Sequence, residues 1–116
     1  YKDCVEEMRM INKAFIEVKG VTLEEDGIVR FPDAPTERGI KHLEELCACV
    51  EAGYKAAVIF VVQMEGMQHF EPNDKTHPQF GEALRQARKA GVEVLAYECK
   101  VTPSSLEISK SIPVML

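Results

Sequence analysis

The chain has 116 residues, of which 46% are hydrophobic and 28% charged, and its formal net charge is −5. This length predicts one domain with a buried core and excludes two domains, while no apolar run reaches the roughly 18 residues that a transmembrane helix needs. The acidic balance disfavours a protein whose whole surface binds DNA, because Lys and Arg must neutralise the phosphates. Nucleic-acid binding is therefore expected only at a local patch, or with help from residues outside this chain.

The first informative element is a predicted strand over residues 13–23, which carries an acid and a lysine among apolar residues. Successive side chains of a strand point to opposite faces, so Glu17 and Lys19 share a face with Phe15, while Ile16 and Val18 point the other way. Burial of such a pair without compensation costs several kcal/mol. We therefore expect either a salt bridge, or a divalent metal ion with a scissile phosphate.

A turn follows at residues 24–27, where Asp26-Gly27 indicates a hairpin, and Ile28–Phe31 form a short return strand. The Pro-rich residues 32–35 then lead into a helix over residues 36–52. Asp33 and Thr36 compete as its N-cap, since either side chain can accept a hydrogen bond from a first-turn amide. Gly53 is expected to end the helix.

The helix is amphipathic, with apolar residues at three- and four-residue spacing: Ile40, Leu43, Leu46, Cys47 and Val50. Residues 56–62 are apolar throughout, as in a central strand covered by helices. Residues 63–77 are polar and predicted to be irregular. A second helix then starts at Thr76-His77-Pro78, presents Phe80, Ala83, Leu84 and Ala87 on its inner side, and stops at Gly91.

Residues 92–101 predict another strand, and residues 106–116 one or two short edge strands. The order strand–helix–strand–helix–strand predicts an α/β protein with a mixed sheet flanked by helices.

The cysteines form no CxxC pair. Cys47 and Cys49 are two residues apart on the first helix, which directs their thiols away from one another. Free cysteine in apolar surroundings behaves as a small hydrophobe. Three of the four residues Cys4, Cys47, Cys49 and Cys99 lie in apolar surroundings, so we predict a reduced, cytoplasmic protein with buried thiols. Because the chain begins with Tyr1 rather than Met, we interpret it as a fragment of a longer protein.

The Glu17–Lys19 pair has the parts that metal-assisted phosphodiester hydrolysis needs. Mg²⁺ takes one or two carboxylates together with water and phosphate oxygens, and a nearby cation helps to orient the bound water. Glu17 could ligate the metal, Lys19 could be that cation, and the carbonyl of Val18 could be a further ligand. Asp3 is the candidate second carboxylate, since residues 3–5 could begin the preceding strand of a hairpin. A salt bridge at the strand end remains the alternative.

Several segments resemble the C-terminal part of the sugar fermentation stimulation protein A family. They are IEVKGVTL at 16–23, FPDAPTERGIKHLEEL at 31–46, the apolar strand that ends in Gln63, and AGVEVLAYECKVTP at 90–103. The resemblance runs from about Lys13 to the C-terminus. It identifies residues 1–116 as a C-terminal nuclease-like domain, without the N-terminal domain similar to an OB fold that family members usually carry.

The resemblance implies a restriction-endonuclease-like fold, in which an Asp on one strand is followed by (Asp/Glu)-x-Lys on the next. Glu17-Val18-Lys19 matches the second part, and Asp3 has suitable spacing for the first, with Glu6 and Glu7 as competitors. Pro32-Asp33 follows the Glu-x-Lys strand and is rejected in that role. Family members are described as DNA-binding proteins and regulators of sugar (maltose) metabolism.

The start of the first helix supplies further candidates. Glu37 is either a catalytic carboxylate that faces the metal or a first-turn charge paired with Lys41. Arg38 could clamp a phosphate, and Lys41 and His42 could border the same groove, so Arg38 and Lys41 are the predicted DNA contacts.

The predicted function is a DNA-binding protein with a Mg²⁺- or Mn²⁺-dependent phosphodiesterase site formed by Glu17, Lys19 and Glu37. A DNA-binding regulator without hydrolysis is the first alternative. A protein-interaction module that never meets nucleic acid is the second, and the net charge favours it.

Overall fold

The computed structural model describes residues 8–11 and 14–116, and it confirms the predicted order of strands and helices. The strands are β1 Met8–Ile11, β2 Ala14–Val21, β3 Leu23–Glu25, β4 Ile28–Phe31, β5 Lys55–Val62, β6 His69–Pro72, β7 Glu93–Thr102 and β8 Ser105–Ser111. The helices are α1 Glu37–Glu51 and α2 Pro78–Ala90.

The main sheet is mixed and has the strand order β1-β2-β5-β7-β8. Its inner strands β2, β5 and β7 are parallel, because α1 and α2 lie in the connections between them, whereas β1 and β8 pair antiparallel at the edges. In this register Glu17 lies opposite Val58, and Lys19 lies opposite Phe60. The acid and the lysine are therefore on an inner strand.

The hydrophobic core lies between the main sheet and the two helices, which also pack against each other. Helix residues Leu43, Leu46, Phe80, Leu84 and Ala87 are buried there, together with sheet residues Val58, Phe60, Val62, Val94 and Ala96. These positions follow the three- and four-residue spacing in the helices and the alternation in the strands. The predicted inner faces of both helices are thereby confirmed.

A second, three-stranded sheet has the order β3-β4-β6. Its hairpin turns at Asp26 and Gly27, whose φ angles of 52° and 82° are those of a type I′ turn. The predicted return strand Ile28–Phe31 is confirmed. The prediction that residues 63–77 are irregular is wrong for β6, which pairs parallel with β4. Because the two strands are far apart in the chain, no local pattern marks this pairing.

Thr36 is the N-cap of α1, which decides between the two predicted caps. Its hydroxyl accepts a hydrogen bond from the backbone N–H of Gly39 at 2.9 Å. At the other helix ends, Gly53 and Gly91 adopt positive φ angles of 93° and 110°. Glycine adopts these angles without the strain that a Cβ would cause, so both predicted helix stops are confirmed.

Among the described residues, no helix combines the length and the apolar character that crossing a bilayer requires.

Thr36→Ala should lower the free energy of unfolding by about 1 kcal/mol, because it leaves a first-turn amide of α1 without its acceptor. Thr36→Ser keeps the hydroxyl and should lose much less. Urea unfolding followed by circular dichroism measures both. Equal losses in the two variants would show that the methyl group, and not the cap, stabilises this position.

Candidate functional site

Glu17 and Lys19 lie side by side on β2, on the sheet face that the helices cover. The exposed fraction is 0% for Glu17 and 1% for Lys19, although both residue types are seldom fully buried in proteins. Residues 17, 19 and 21 of β2 are all buried. This alternation confirms the prediction that Glu17 and Lys19 point to the same face of the sheet. The pair is therefore embedded in the core next to Val58 and Phe60 of β5.

His42 of α1 completes a compact group with the pair. Lys19 Nζ lies 3.2 Å from Glu17 Oε1. His42 Nδ1 lies 2.9 Å from the same carboxylate oxygen and 2.9 Å from Lys19 Nζ. The His42 side chain is 15% exposed, so its ring lies between the buried charges and solvent. We expected His42 only at the border of a groove, whereas the fold brings it into contact with both charges.

The sequence around His42 explains how α1 reaches the pair. Thr36 starts the helix, and its own backbone N–H donates to His77 Nδ1 at 3.2 Å, which ties α1 to the start of α2. Gly39 faces α2, where an added Cβ would lie 3.0 Å from a ring carbon of Phe80. The missing side chain at residue 39 therefore lets the two helices approach closely. His42 follows one turn later, on the side of α1 that faces β2.

As far as the described residues show, the hydrogen bonding of the Glu17 carboxylate differs from that of most buried acids. Within the described part of the chain, neither Oε1 nor Oε2 accepts a hydrogen bond, and both atoms are inaccessible to solvent. The contacts to Lys19 and His42 are close, but they do not have hydrogen-bond geometry. Among the described residues, the ionisable groups in contact with this carboxylate are those of Lys19 and His42.

Of the other predicted metal ligands, the structure describes only Val18. Asp3, with its competitors Glu6 and Glu7, lies outside the described residues. Val18 is half-buried on β2, between Glu17 and Lys19. Across residues 14–116, no three His, Cys, Asp or Glu side chains come together as a metal site. The metal site with Asp3, Glu17 and Val18 therefore stays a prediction.

The predicted residues at the start of α1 are exposed. Glu37, Arg38 and Lys41 all point to solvent. Glu37 and His42 are five residues apart, which places them about 140° apart around a helix of 3.6 residues per turn. His42 contacts Glu17, so Glu37 lies on another side of α1. The catalytic role of Glu37 and the DNA contacts of Arg38 and Lys41 stay predictions.

Glu98 is a buried acid that the sequence reasoning missed. It is 1% exposed near the middle of β7, where it lies opposite Val62 and accepts a hydrogen bond from the backbone N–H of Met67. Strand alternation could have found it, because Glu98 has the same parity as the buried Val94 and Ala96. Its carboxylate is engaged by a loop amide, so we interpret Glu98 as a residue that fixes the loop after β5.

The three described thiols are free, and they differ in burial. Cys99 is buried, whereas Cys47 and Cys49 are half-buried, and Cys4 lies outside the described residues. Burial raises the pKa of the Cys99 thiol. Burial also raises the pKa of Cys47, with a further contribution from Glu51 and Glu44. The protonated thiol is therefore favoured at both positions, which makes them poor nucleophiles and poor metal ligands.

Comparison with known proteins finds a matching family and several similar relatives. The profile of a family described as the sugar fermentation stimulation protein RE domain matches residues 3–105. The chain is 57% identical over 104 residues to the sugar fermentation stimulation protein homolog of Desulfitobacterium hafniense (strain Y51), which covers 90% of this chain and 46% of that protein. It is 53% identical over 105 residues to the homolog of Clostridium perfringens (strain 13 / Type A), with the same coverage.

A solved structure is also similar. It is described as the structure of Pyrococcus furiosus SfsA in complex with Ca²⁺, and it matches with a TM-score of 0.81 and 29% sequence identity. The match covers 89% of this chain and 45% of that chain. The chain thus spans about half the length of the relatives that it matches.

A double-mutant cycle at Glu17 and Lys19 should reveal strong coupling. Lys19→Met leaves the buried carboxylate without its ammonium and should lower the free energy of unfolding by about 3–5 kcal/mol. Adding Glu17→Gln should recover most of this loss, because a neutral amide needs no counterion. Urea unfolding of the wild type, both single variants and the double variant gives the coupling free energy, expected at about 1 kcal/mol or more.

Lys89→Met is the control for this cycle. The Lys89 side chain is exposed in the last turn of α2, so its replacement should change the free energy of unfolding by no more than about 0.5 kcal/mol. Additive effects of Glu17→Gln and Lys19→Met would mean that the two charges do not stabilise each other.

Proposed function

This chain belongs to the sugar fermentation stimulation protein family, and we propose that it is a restriction-endonuclease-like domain that binds DNA and holds a divalent metal ion at Glu17 for phosphodiester hydrolysis. One observation carries the proposal. The Glu17 carboxylate is fully buried next to Lys19, yet no described residue donates a hydrogen bond to it. A buried acid of this kind is stabilised by a cation that brings its own positive charge.

The residues present fit a Mg²⁺ or Mn²⁺ ion. Glu17 would supply a carboxylate oxygen, the carbonyl of Val18 a second oxygen, and Asp3 a further carboxylate. Mg²⁺ usually keeps several waters and needs only one or two carboxylates, so this donor set is sufficient. The related Pyrococcus furiosus SfsA, whose printed description includes Ca²⁺, supports a cation with oxygen ligands.

When bound, the metal ion would neutralise charge on a phosphate and lower the pKa of a water molecule. Lys19 would place its ammonium beside that water and stabilise the negative charge that develops on the phosphate oxygens. The apolar surroundings of Glu17 and Lys19 limit competing water, which strengthens both interactions. Glu37 would assist from the first turn of α1 only if the substrate reaches that side of the helix.

Binding of DNA would rest on a local cationic patch, because the chain as a whole carries a net charge of −5. Arg38 and Lys41 are exposed in the first turns of the helix that also carries His42, so phosphates bound there would lie near the helix N-terminus. We propose DNA as the partner. We further propose that the full-length protein has an N-terminal OB-like domain, acts in the cytoplasm, and contributes to the regulation of sugar (maltose) metabolism.

A DNA-binding regulator without hydrolysis is the second candidate. It is favoured by the small number of acids at the site, where Glu17 is the one carboxylate within residues 14–116 that contacts Lys19. Such a protein would retain the buried charge pair and bind DNA, but would not cleave it. The net charge also leaves a protein-interaction module as a third candidate.

Excess Mn²⁺ should raise the midpoint of thermal unfolding of the wild type, because a ligand that binds only the folded state stabilises it by about 2.7 kcal/mol at a hundredfold excess over its dissociation constant. Glu17→Gln should abolish this shift. Glu44→Gln, an exposed acid on α1, is the matched control and should keep it.

Hydrolysis of DNA is tested with the wild type and with Lys19→Met. The wild type should cleave single- or double-stranded DNA in the presence of Mg²⁺ or Mn²⁺, and chelation by EDTA should stop the reaction. Lys19→Met should retain DNA binding while cleavage is lost. If the wild type is stabilised by Mn²⁺ but cleaves no DNA over broad conditions, the regulator without hydrolysis is correct. If Mn²⁺ has no effect, the metal site is wrong.

Replacement of Arg38 and Lys41 by Ala should weaken DNA binding and flatten its salt dependence. Each phosphate contact contributes about 0.9 to the slope of log K against log salt concentration on duplex DNA, so the double variant should lose about 1.8. Fluorescence anisotropy with a labelled duplex at several salt concentrations measures this slope. Lys89→Ala, in the last turn of α2, is the control and should leave it unchanged. A slope unaffected by Arg38→Ala and Lys41→Ala would place the DNA elsewhere.

A further inference from the structure

The main sheet has a second face, opposite to the one that the helices cover. Side chains alternate along β2, β5 and β7, so the residues between the core positions of these strands point to the opposite side. The strand register places Val18 beside Ile59, and Ile59 beside Leu95. The second face carries a row of apolar residues, with Glu93 at its end: Ile16, Val18, Ile59, Val61, Leu95 and Tyr97.

The second face lies outside the hydrophobic core that the helices share with the sheet. Neighbouring positions on the same strand, such as Val58 and Phe60, belong to that core. Ile59, Leu95 and Tyr97 do not belong to it, and they are half-buried. Both helices, the three-stranded sheet and the C-terminal tail contribute their apolar side chains to the core instead. Within residues 8–11 and 14–116, no helix or further sheet therefore covers the second face.

An open apolar face is unusual for strands of this kind. β2, β5 and β7 are parallel, and parallel strands in proteins are almost always covered on both faces, because their side chains are apolar on both sides. The apolar surface extends to Ile108 of β8, which lies opposite Cys99 and is 65% exposed. Contiguous exposed apolar surface on a soluble protein marks a site of interaction. The second face therefore calls for a covering element from outside the described residues.

An open cavity of about 380 Å³ lies at one end of the second face, where β2 and β5 begin. Ile16 and Ala57 of the second face line this cavity. Phe15 and Tyr54 line it as well, and their rings meet edge to face with centroids 5.4 Å apart. The charged residues of the lining are both exposed, namely Lys55 and Glu93. A cavity with these walls accepts an apolar side chain of a covering element.

We infer that the second face is the docking surface for an amphipathic helix supplied by the part of the full-length protein that this chain does not span. The matched region makes up 46% of the Desulfitobacterium hafniense (strain Y51) homolog and 45% of the Pyrococcus furiosus SfsA chain, so about half of each lies outside it. A helix suits this role because it satisfies its backbone hydrogen bonds internally and presents one apolar side to the sheet.

The occupant is part of the same polypeptide rather than a second copy. A tethered segment docks as an intramolecular event at a high effective concentration, whereas a second copy must give up its free translation and rotation. The inference involves neither Glu17 nor a metal ion, so it stands or falls independently of the proposed function.

Methyl NMR of isoleucine tests the inference on two proteins, this chain alone and the full-length protein that contains it. A neutral gadolinium chelate in solution relaxes those methyl groups that solvent can reach. In this chain alone, the Ile59 methyl should relax faster than that of Ile112, which is 6% exposed in the core. In the full-length protein, the relaxation of Ile59 should fall to the level of Ile112.

Three outcomes of this measurement would overturn the inference. The first is an Ile59 methyl that is as accessible in the full-length protein as in this chain alone. The second is protection of Ile59 already in this chain alone, since the second face would then be covered without the remaining part of the protein. The third is protection that rises with protein concentration, which would assign the second face to a second copy.

A charge on the second face tests whether docking depends on it. Ile59→Glu should make the Ile16 methyl of the full-length protein accessible again, because an unpaired charge is not tolerated in an apolar contact. Gln86→Glu adds the same charge on the exposed side of α2 and should leave Ile16 protected. Circular dichroism of Ile59→Glu in this chain alone reports whether the domain folds; if it does not, Ile59→Thr, which keeps the branched Cβ that suits a strand, replaces it. An Ile16 methyl that stays protected in the folded variant would overturn the inference.

Discussion

A carboxylate and an ammonium, buried together on an inner strand of the sheet, form the constraint on which the rest of this structure depends. Removing Glu17 and Lys19 from water costs several kcal/mol for each charge, and their mutual attraction repays that cost only in good geometry. Here the geometry is incomplete, because Glu17 accepts no hydrogen bond from the described residues. The proposed function gives the pair a purpose other than stability, with a divalent cation as the proposed partner of Glu17.

The helices hold this arrangement in place. The cap at Thr36, the close approach at Gly39 and the hydrogen bond from Thr36 to His77 fix the start of α1 against α2. His42 follows on the same helix and reaches both charges. The residues from Thr36 to His42, which carry part of the family resemblance, therefore act as one unit, in which the first residues set the position of the helix and the last one contacts the site.

The acidic net charge and a proposed DNA-binding role are compatible only if the cationic surface is local. Arg38 and Lys41 are exposed on α1, close in sequence to His42, while the relatives that this chain matches are about twice as long. The remaining half of such a protein can supply further phosphate contacts. The domain described here would then contribute the metal and the reacting groups, and affinity for DNA would depend on the whole molecule.

The sequence by itself determined the elements and the faces they present. The spacing of apolar residues predicted the two helices, and Gly53 and Gly91 marked their ends. Strand alternation placed Glu17 and Lys19 on one face of β2. Each of these features depends on residues that are close together in the chain. The tertiary structure alone decided two things: the pairing of β6 with β4, and the contact of His42 with Glu17 and Lys19. These depend on segments far apart in the chain, whose approach follows from packing of the whole core rather than from any local pattern.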